Sequence, residues 1–323
     1  MLNRRNLVTY SIAFLFILAL NFLMPRMMPG DPLSAIYGDE VLVAMAPEFK
    51  AHLVESFALD EPMWRQFGAY ILALFQGDMG YSYYYNASVF SVIIGSLPWT
   101  LLVVGSSLVL STLIGIALGI ESGWRRGSRT DRTMLAGLMS LNGFPDFFLG
   151  LVLLLVFGVL MGIFPLAGAL TPYSGLSGFS LVVDVMKHMA LPVTALTLAH
   201  LAGVYLLTRN TMITVLKAPF MLTARAKGLS QRRLKYHHAG RNSMLPVLTV
   251  TGIWLGRLVT GALFVELVFA YPGVGYLTYQ ALLTRDYPLI QGIFLIVAIA
   301  VLIANFAVDL LYPKLDPRVS YAH

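Results

Sequence analysis

The stretch PWTLLVVGSSLVLSTLIGIALGI, residues 98–120, contains no charged side chain. A helix that crosses the ~30 Å hydrocarbon core of a bilayer needs about 20 mostly apolar residues, and this stretch is long enough. A transmembrane β-strand would instead alternate polar and apolar residues over about 10 positions. The stretch therefore predicts a membrane-spanning α-helix. Five further runs in the chain are also long and mostly apolar.

The composition of the whole chain points to the same class of protein. Of its 323 residues, 58% are hydrophobic and 12% are charged, and the mean hydropathy is +0.75. Soluble domains carry about 25% charged residues, so a solvated globular enzyme and a disordered chain are both excluded. The chain has no cysteine, which also excludes disulfides, thiolate metal sites and cysteine nucleophiles.

The apolar runs predict an all-α polytopic membrane protein with about six transmembrane helices. The predicted spans cover residues 7–24, 98–120, 134–161, 189–207, 247–271 and 289–312. The first run is longer than the apolar core of a signal peptide, which is about 7–15 residues, and no small-x-small cleavage site follows it. We therefore expect it to be retained, and we expect residues 1–323 to form a single transmembrane domain.

The basic side chains predict the orientation of these helices. With the N-terminus inside, 16 of the 22 Lys and Arg residues fall in inner segments, five fall in outer segments, and Arg257 falls within a span. Basic residues favour the cytoplasmic side of a membrane, so both termini are predicted to be inside. The net charge of +6 is then a topology signal, and nucleic-acid binding is not expected.

Two segments between the spans are unusually long. The outer segment, residues 25–97, carries eight acidic and three basic side chains, and apolar residues recur at helical spacing after Pro62. This pattern predicts a small structured cap on the outer face, with Pro62 suited to the first turn of a helix. The inner segment, residues 208–246, carries eight basic side chains and no acidic one.

Local signals divide the inner segment into two short helices. Pro219 suits the first turn of a helix, and Gly228 suits the left-handed position that ends one. Ser230 can cap a second helix that begins at Gln231. A short helix of small, apolar and basic residues is suited to lie in a groove of a partner protein. A basic loop that rests on anionic lipid is the alternative.

This inner segment resembles a known family. Residues Thr223, Ala224, Arg225, Ala226, Lys227, Gly228, Leu229 and Ser230 are similar to the cytoplasmic signature of ABC transporter permeases, in particular those of the dipeptide, oligopeptide and nickel importer class. The general signature of ABC importers begins Glu-Ala-Ala, whereas this chain has Thr223-Ala224-Arg225 at the comparable place.

Further family landmarks keep their order along nearly the whole chain. They are MPGDP at 28–32, LDEP at 59–62, GDMGYS at 77–82, ELVF at 266–269, YPGVG at 271–275, RDYP at 285–288, QG at 291–292 and LDPR at 315–318. Asn305 and Asp309 also belong to this ordered set, and the resemblance marks Glu266, Pro272, Gly273, Asp286 and Asp309 as structural positions of the family.

The resemblance implies the type I ABC importer permease fold and a role as a transporter subunit that is not itself an enzyme. The implied substrate is a peptide, or a solute of the nickel or metal-chelate type. The coupling helix, residues 223–230, would dock on an ATPase and transmit its closure to the spans. The chain contains no Walker A sequence, so ATP and Mg²⁺ would bind to separate ATPase subunits and this chain would bind no cofactor.

The implied partners are a second permease subunit, two ABC ATPase subunits, an extracytoplasmic substrate-binding protein and the surrounding membrane lipid. The implied location is the cytoplasmic (inner) membrane of a prokaryote, where the chain would cross the bilayer several times.

Ionisable side chains within the predicted spans are candidates for the translocation path. Burying such a group costs on the order of 2.5–3.5 kcal/mol on insertion scales, so each needs a partner or an aqueous path. Asp146 follows Pro145, which would break the third helix, and Arg257 and His200 lie in later spans. Pairing of Asp146 with Arg257 is the alternative. A lone histidine such as His200 is poor evidence for a metal site.

Two other functions remain open at this point. An ion-coupled secondary transporter would relay protons through Asp146, Glu266 and Asp309, but the chain shows no inverted repeat. An intramembrane enzyme could pair Asp146 with Asp309, but neither residue has a recognisable catalytic surround. Both alternatives predict function without an ATPase.

Overall fold

The computed structural model describes residues 4–26, 39–56, 61–82, 84–244, 246–247, 250 and 262–315. The chain divides into two compact units. The first unit contains Met1–Trp99 and Pro272–Ile303, and the second contains Thr100–Tyr271 and Ala304–His323.

The described residues are almost entirely helical, as the sequence predicts. In chain order, the elements are α1 (Arg4–Arg26), α2 (Asp39–Ala44), α3 (Pro47–Ser56), α4 (Met63–Phe75), β1 (Tyr81–Ser82), β2 (Ala87–Ser88), α5 (Val89–Trp124), α6 (Arg129–Asn142), α7 (Asp146–Leu153), π1 (Leu154–Leu160), α8 (Gly178–Leu216), α9 (Pro219–Ala226), π2 (Arg233–Gly240), α10 (Leu263–Val268), α11 (Val274–Leu283) and α12 (Tyr287–Leu315). The two strands pair antiparallel as a short hairpin.

Among the described residues, α5 and α8 are long and apolar enough to cross a membrane. A third candidate is the bent pair formed by α6 with the helical segment that follows it. Shorter apolar stretches are described at Val8–Leu23 in α1 and Tyr287–Ile303 in α12. The fifth predicted span, 247–271, lies mostly outside the described residues. The all-helical membrane class is thus confirmed, while the number of spans and their orientation remain predictions.

The third predicted span, 134–161, is broken where the sequence predicts a break. Helix α6 ends at Asn142 and α7 begins at Asp146, and the two segments are bent by 98°. Pro145 immediately precedes α7. It has no backbone N–H to donate, and its ring disfavours helical geometry in the residue before it. The chain therefore changes direction at this point.

Helices α5 and α8 approach closely along a row of glycines in the second unit. Gly115, Gly119 and Gly123 are spaced four residues apart on α5. A Cβ atom added to Gly119 would lie 2.5 Å from Cβ of Thr208 and 2.9 Å from the carbonyl oxygen of Tyr205. Small residues at this spacing let membrane helices pack backbone against backbone. The four-residue spacing of these glycines in the sequence is a signal that could have predicted this close approach.

In the first unit, a proline creates a link between α1 and α12. Pro25 has no N–H, so the carbonyl group of Asn21, four residues earlier, lacks its usual helical donor. Nε2 of Gln291 donates to that carbonyl oxygen at 2.8 Å. In return, Nδ2 of Asn21 donates to the carbonyl oxygen of Gln291 at 3.2 Å and to the hydroxyl of Tyr70 on α4 at 3.0 Å.

The outer segment contains the helix predicted from its apolar spacing. This helix is α4, and Pro62 precedes it as the cap residue instead of occupying its first turn. The hairpin that follows is fixed to the start of α12 by Ser82, whose hydroxyl donates to the carboxylate of buried Asp286. Asp286 also accepts a hydrogen bond from the N–H of Leu289 at 3.2 Å and so caps α12.

Candidate functional site

The inner segment folds locally as its sequence predicts. Helix α9 has Pro219 in its first turn. Gly228 has a φ of +69°, which is the left-handed conformation expected after the helix. A second helical segment begins at Gln231, and the hydroxyl of Ser230 accepts a weak hydrogen bond from the N–H of Arg233 at 3.4 Å. The two short helices and the turn between them are therefore confirmed.

The second helical segment differs from the prediction in its winding, because Arg233–Gly240 is a π-helix. Its buried residues are Leu234, Lys235, Ala239 and Gly240, which form two pairs spaced five residues apart. An α-helix places such positions on different faces, whereas the wider π-helical turn brings them to one face. Sequence propensity carries no signal for this change.

Helix α9 has two chemically distinct faces. Met221 and Ala224 are buried, at 0% and 6% exposure. Phe220 and Leu222 are large apolar residues that are 42% and 65% exposed. Residues 223–230 also have exposed polar and basic side chains, which are Thr223, Arg225, Lys227 and Ser230. One face of this short helix is therefore fixed to the protein, and the other presents apolar and cationic side chains.

The buried face of α9 belongs to a hydrophobic core that joins four elements. The core contains Ile120 of α5, Met212 of α8, Met221 and Ala224 of α9, and Leu234 and Ala239 of π2. Leu229, in the turn after α9, packs against this core. Helix α9 and the turn after it are therefore packed on the ends of two long helices, and they do not extend away from them as a free loop.

An ion-pair network adds to this packing. Lys235 of π2 forms a salt bridge with Glu121 near the end of α5, and Glu121 also binds Nε of Arg125 at 2.6 Å. Lys235 is 8% exposed. The sequence analysis counted it only as one of the inner basic residues, but its charge is used to attach π2 to α5.

A second, deeper ion pair holds α6 against α8. Nε and one terminal nitrogen of Arg209 donate to the two carboxylate oxygens of Asp131 at 2.7 and 2.9 Å. Asp131 also accepts hydrogen bonds from the hydroxyl of Ser122 at 2.5 Å and from the N–H of Gly127 at 2.8 Å. The hydroxyl of Tyr205 on α8 lies 2.7 Å from that of Ser122. This buried network joins α5, α6 and α8.

Sequence reasoning missed this network because its members are far apart in the chain. Arg209 was counted among the inner basic residues, and Asp131 was not considered. A signal was present nevertheless, since Asp131 is an acid in an inner connection that also contains Arg125, Arg126, Arg129 and Arg132. An acid in such surroundings is a candidate for pairing with a cation.

Two of the three residues predicted on the translocation path are described, and they lie on neighbouring helices. Asp146 is half-buried at the start of α7, and its Oδ1 accepts a hydrogen bond from the N–H of Phe147 at 2.8 Å. His200 is half-buried on α8. Helices α7 and α8 pack against each other. Arg257 lies outside the described residues, so its predicted pairing with Asp146 stays a prediction.

The family landmarks occupy structural positions where they are described. Glu266 on α10 is fully buried and accepts a hydrogen bond from the hydroxyl of Thr100 at 2.7 Å. Pro272 and Gly273 form the turn before α11, and Gly273 caps that helix. Asp286 caps α12, as described above. The backbone of Asp309 lies in α12, but its side chain is outside the described part of the structure.

Within the described residues, no group of three or more histidine or acidic side chains is arranged as a metal site would require. Among the described residues, the most completely built candidate site is the surface formed by α9 and the turn that follows it.

Comparison with known proteins identifies relatives over nearly the whole chain. Residues 111–321 match the family described as binding-protein-dependent transport system inner membrane component. The chain is 34% identical to the dipeptide transport system permease protein DppB of Escherichia coli K12, over 95% of both chains. It is 33% identical to the oligopeptide transport system permease protein AppB of Bacillus subtilis, over 98% of both chains. It is 32% identical to the di/tripeptide transport system permease protein DppB of Pseudomonas aeruginosa, over 95% of both chains.

Proposed function

Because this chain belongs to the family of binding-protein-dependent transport system inner membrane components, we propose that it is the permease subunit of an ATP-driven ABC importer of peptides. The three relatives described above are named for dipeptide, oligopeptide and di/tripeptide transport. Their names favour a peptide over the nickel or metal-chelate solute that the sequence alone left open.

In this proposal, the chain crosses the inner membrane of a prokaryote about six times, with both termini in the cytoplasm. It pairs with a second permease subunit and with two ATPase subunits, which bind ATP and Mg²⁺. An extracytoplasmic binding protein delivers the substrate. ATP binding closes the ATPases, and the coupling helices transmit that closure to the spans, which then open to the outside.

The observation that carries this proposal is the division of α9 into a fixed face and an exposed face. A segment that transmits movement must bind the moving partner on one side and be attached to the spans on the other. Phe220 and Leu222 supply exposed apolar area for the partner, and Arg225 and Lys227 supply positive charge. Met221 and Ala224 supply the attachment.

The attachment leads to two long helices at once. The core beneath α9 includes Ile120 of α5 and Met212 of α8, and Lys235 adds an ion pair to α5. Because protein cores are close-packed and nearly incompressible, displacement of α9 moves the ends of both helices. We infer that this is the route by which ATPase closure reaches the spans.

We further propose that Asp146 and His200 border the translocation path. Asp146 begins a helix next to a 98° break, and irregular backbone at membrane depth is tolerated where it lines a cavity or is buried in protein. A carboxylate placed there is suited to bind the terminal ammonium group of a peptide. Arg257, if it faces the same path, is suited to bind the peptide carboxylate.

The test of the coupling role is assembly of the complex from tagged, co-expressed subunits. We expect Leu222→Glu combined with Arg225→Glu to reduce co-purification of the ATPases at least tenfold, because about 1.4 kcal/mol of lost affinity has that effect. Arg126→Glu is the matched control, since Arg126 is an exposed inner basic residue outside α9. Equal ATPase recovery from the α9 variant and the control would contradict the docking role of α9.

The substrate class is tested separately, by uptake in cells that carry the complete transporter. We expect competition by unlabelled dipeptides for uptake of a labelled dipeptide, and no competition by nickel salts. Asp146→Asn is expected to lower uptake while leaving ATPase recovery unchanged. Nickel uptake that peptides do not inhibit would overturn the peptide assignment. The coupling role of α9 would not be affected by that result.

A further inference from the structure

The first unit contains an open cleft that has no role in the proposed function. Its volume is about 90 Å³, and it is lined by residues of α1, α4 and α12 and of the loop after α4. Its polar wall includes Asn21, Gln66, Asp78 and Gln291. No lysine, arginine or histidine is found among the described residues that line it, so the carboxylate of Asp78 is the formal charge that this part of the chain gives the cleft.

Asn21 provides a hydrogen-bond acceptor without a donor. The residue is 5% exposed, and its Nδ2 already donates to Tyr70 and to the carbonyl oxygen of Gln291. Its Oδ1 accepts no hydrogen bond from the described chain. This oxygen has less than 1 Å² of accessible surface, so a ligand in the open cleft does not reach it. Asn21 therefore contributes to the polar wall of the cleft without binding the ligand through this atom.

Asp78 sets the charge of that ligand. It is exposed at the edge of the cleft, and its Oδ1 accepts a hydrogen bond from the N–H of Gly80 at 2.9 Å, which orients the carboxylate. Without a cationic side chain in the described lining, this carboxylate is suited to a group that is both positively charged and a donor, such as a primary ammonium.

An apolar groove continues from the cleft. Its volume is about 130 Å³, and Leu74, Met79 and Leu295 line both the cleft and the groove. The groove extends along Phe14 and Leu18 of α1 and Ile299 of α12. The two spaces therefore form one amphipathic site, with a polar end and an apolar end.

The direction of this site matches the depth profile of a membrane. On α1 the groove residue Phe14 precedes Asn21 by seven positions, and on α12 the groove residue Ile299 follows Gln291 by eight. At 1.5 Å per helical residue, each path runs about 10–12 Å from the helix end toward its middle. One leaflet of the hydrocarbon core is about 15 Å thick. An acyl chain could follow this path while its headgroup stays at the polar end.

Helix α4 adds an independent indication of lipid contact. Trp64, Leu72 and Phe75 are 70%, 62% and 85% exposed. A short helix with large apolar side chains exposed along its outside is typical of helices that lie in the membrane interface. A helix at that depth places the cleft beside lipid headgroups.

We propose that the cleft and the groove together bind one membrane phospholipid whose headgroup carries a primary ammonium, as in phosphatidylethanolamine. The ammonium donates hydrogen bonds to the carboxylate of Asp78. One acyl chain occupies the groove between α1, α4 and α12. This inference depends on the first unit alone and does not rest on the transported substrate.

The test is lipid binding to the delipidated full-length chain in detergent, measured by native mass spectrometry. Phosphatidylethanolamine and phosphatidylcholine with identical acyl chains are added in turn, because the quaternary ammonium of choline has no N–H to donate. We expect at least a roughly fivefold preference for phosphatidylethanolamine, because only its ammonium can donate hydrogen bonds to the carboxylate of Asp78. Equal binding of the two lipids would overturn the headgroup assignment.

Two variants locate the site. Asp78→Asn removes the charge but keeps the acceptor for Gly80, and it should weaken phosphatidylethanolamine binding about fivefold without changing phosphatidylcholine binding. Leu74→Trp fills the junction of cleft and groove and should weaken both lipids. Leu72→Trp, on the exposed side of the same helix, is the matched control and should weaken neither.

Unchanged lipid binding by a folded Leu74→Trp variant would overturn the site as a whole. Because Asp78 is exposed, Asp78→Asn is expected to fold, and it keeps the test decisive if Leu74→Trp does not. Unchanged phosphatidylethanolamine binding by Asp78→Asn would overturn the proposed headgroup contact.

Discussion

The two units of the chain hold their helices together by different chemistry. In the second unit, a bidentate ion pair joins Asp131 on α6 to Arg209 on α8, and the two side chains are 4% and 14% exposed. In the first unit, neutral hydrogen bonds between Asn21 and Gln291 join α1 to α12, beside an open cleft.

The difference fits the roles that we propose for these regions. A buried ion pair tolerates little change in geometry, because separating its members leaves charges without compensation. That property suits helix ends that must move together with α9. Neutral hydrogen bonds are weaker, so less free energy is needed to rearrange them. This suits a region that accommodates a lipid. If the two units differ in this way, substitutions in the ion pair should destabilise the protein more than substitutions among the neutral hydrogen bonds.

The largest effect is expected from removing the cation of the second unit. Arg209→Met keeps much of the side-chain volume but leaves Asp131 buried without its ion-pair partner, so we expect a loss of about 3–5 kcal/mol in the free energy of unfolding. Denaturant titration of the full chain in mixed micelles measures this loss. Arg126→Met, at an exposed position, should change stability by less than about 0.5 kcal/mol. Similar losses in both variants would contradict the special role of the pair.

A smaller effect is expected from adding one carbon between α5 and α8. Gly119→Ala places a Cβ atom 2.5 Å from Thr208, and such overpacking costs about 1–3 kcal/mol. Gly137→Ala on α6 is the matched control, because a Cβ atom there meets nothing within 4 Å. Since alanine favours helix over glycine by about 1 kcal/mol, the control should be neutral or stabilising. The midpoint temperature of thermal unfolding should fall for Gly119→Ala, and it should stay unchanged or rise for Gly137→Ala.

In the first unit, Gln291→Met tests the neutral link. The substitution removes the donor that replaces the missing N–H of Pro25, and it leaves the carbonyl oxygen of Asn21 unsatisfied. We expect a loss of about 1–3 kcal/mol, measured by the same denaturant titration. Gln280→Met, which loses a hydrogen bond to Tyr276 within one helix, should cost less. A loss as large as that of Arg209→Met would remove the contrast between the units.

The smallest effect is a pH dependence in the first unit. Burial raises the pKa of Asp286 above its ordinary value of 3.8, although hydrogen bonds from Ser82 and Leu289 oppose the shift. The folded state therefore holds its proton to higher pH than the unfolded state does, and stability falls as pH rises from about 3.8 through the raised pKa.

Asp286→Asn lacks this ionisation, so its stability relative to the unsubstituted chain should increase as pH rises through the same window. Thermal unfolding midpoints measured between pH 4 and pH 7 test this expectation. Parallel pH profiles for the two proteins would show that Asp286 is not the group responsible.

Features set by local sequence could be predicted, and those set by distant contacts could not. The break at Pro145 and the turn at Gly228 follow from the backbone chemistry of single residues, and both are confirmed. The predicted second span begins at Pro98, whereas the helix that contains it, α5, begins nine residues earlier at Val89. Helix α5 continues through Pro98, as membrane helices can when the freed backbone groups find other partners.

The candidate site shows the same division. The boundaries of α9 were predictable from Pro219 and Gly228, but its fixed face was not, because that face is defined by contacts with Ile120 and Met212. Arg209 illustrates the limit most clearly. Its partner Asp131 is 78 residues away, and only the folded arrangement shows that this charge is structural.

The π-helical winding of π2 makes the length of this segment as important as its composition. Leu234 with Ala239, and Lys235 with Gly240, reach the core because the helix holds one extra residue per turn. An α-helix advances about 100° per residue, so a one-residue deletion would turn the ion-pairing Lys235 away from Glu121. We therefore expect many substitutions to be accepted on the exposed side of π2. An insertion or deletion of one residue would instead break the contact between π2 and α5.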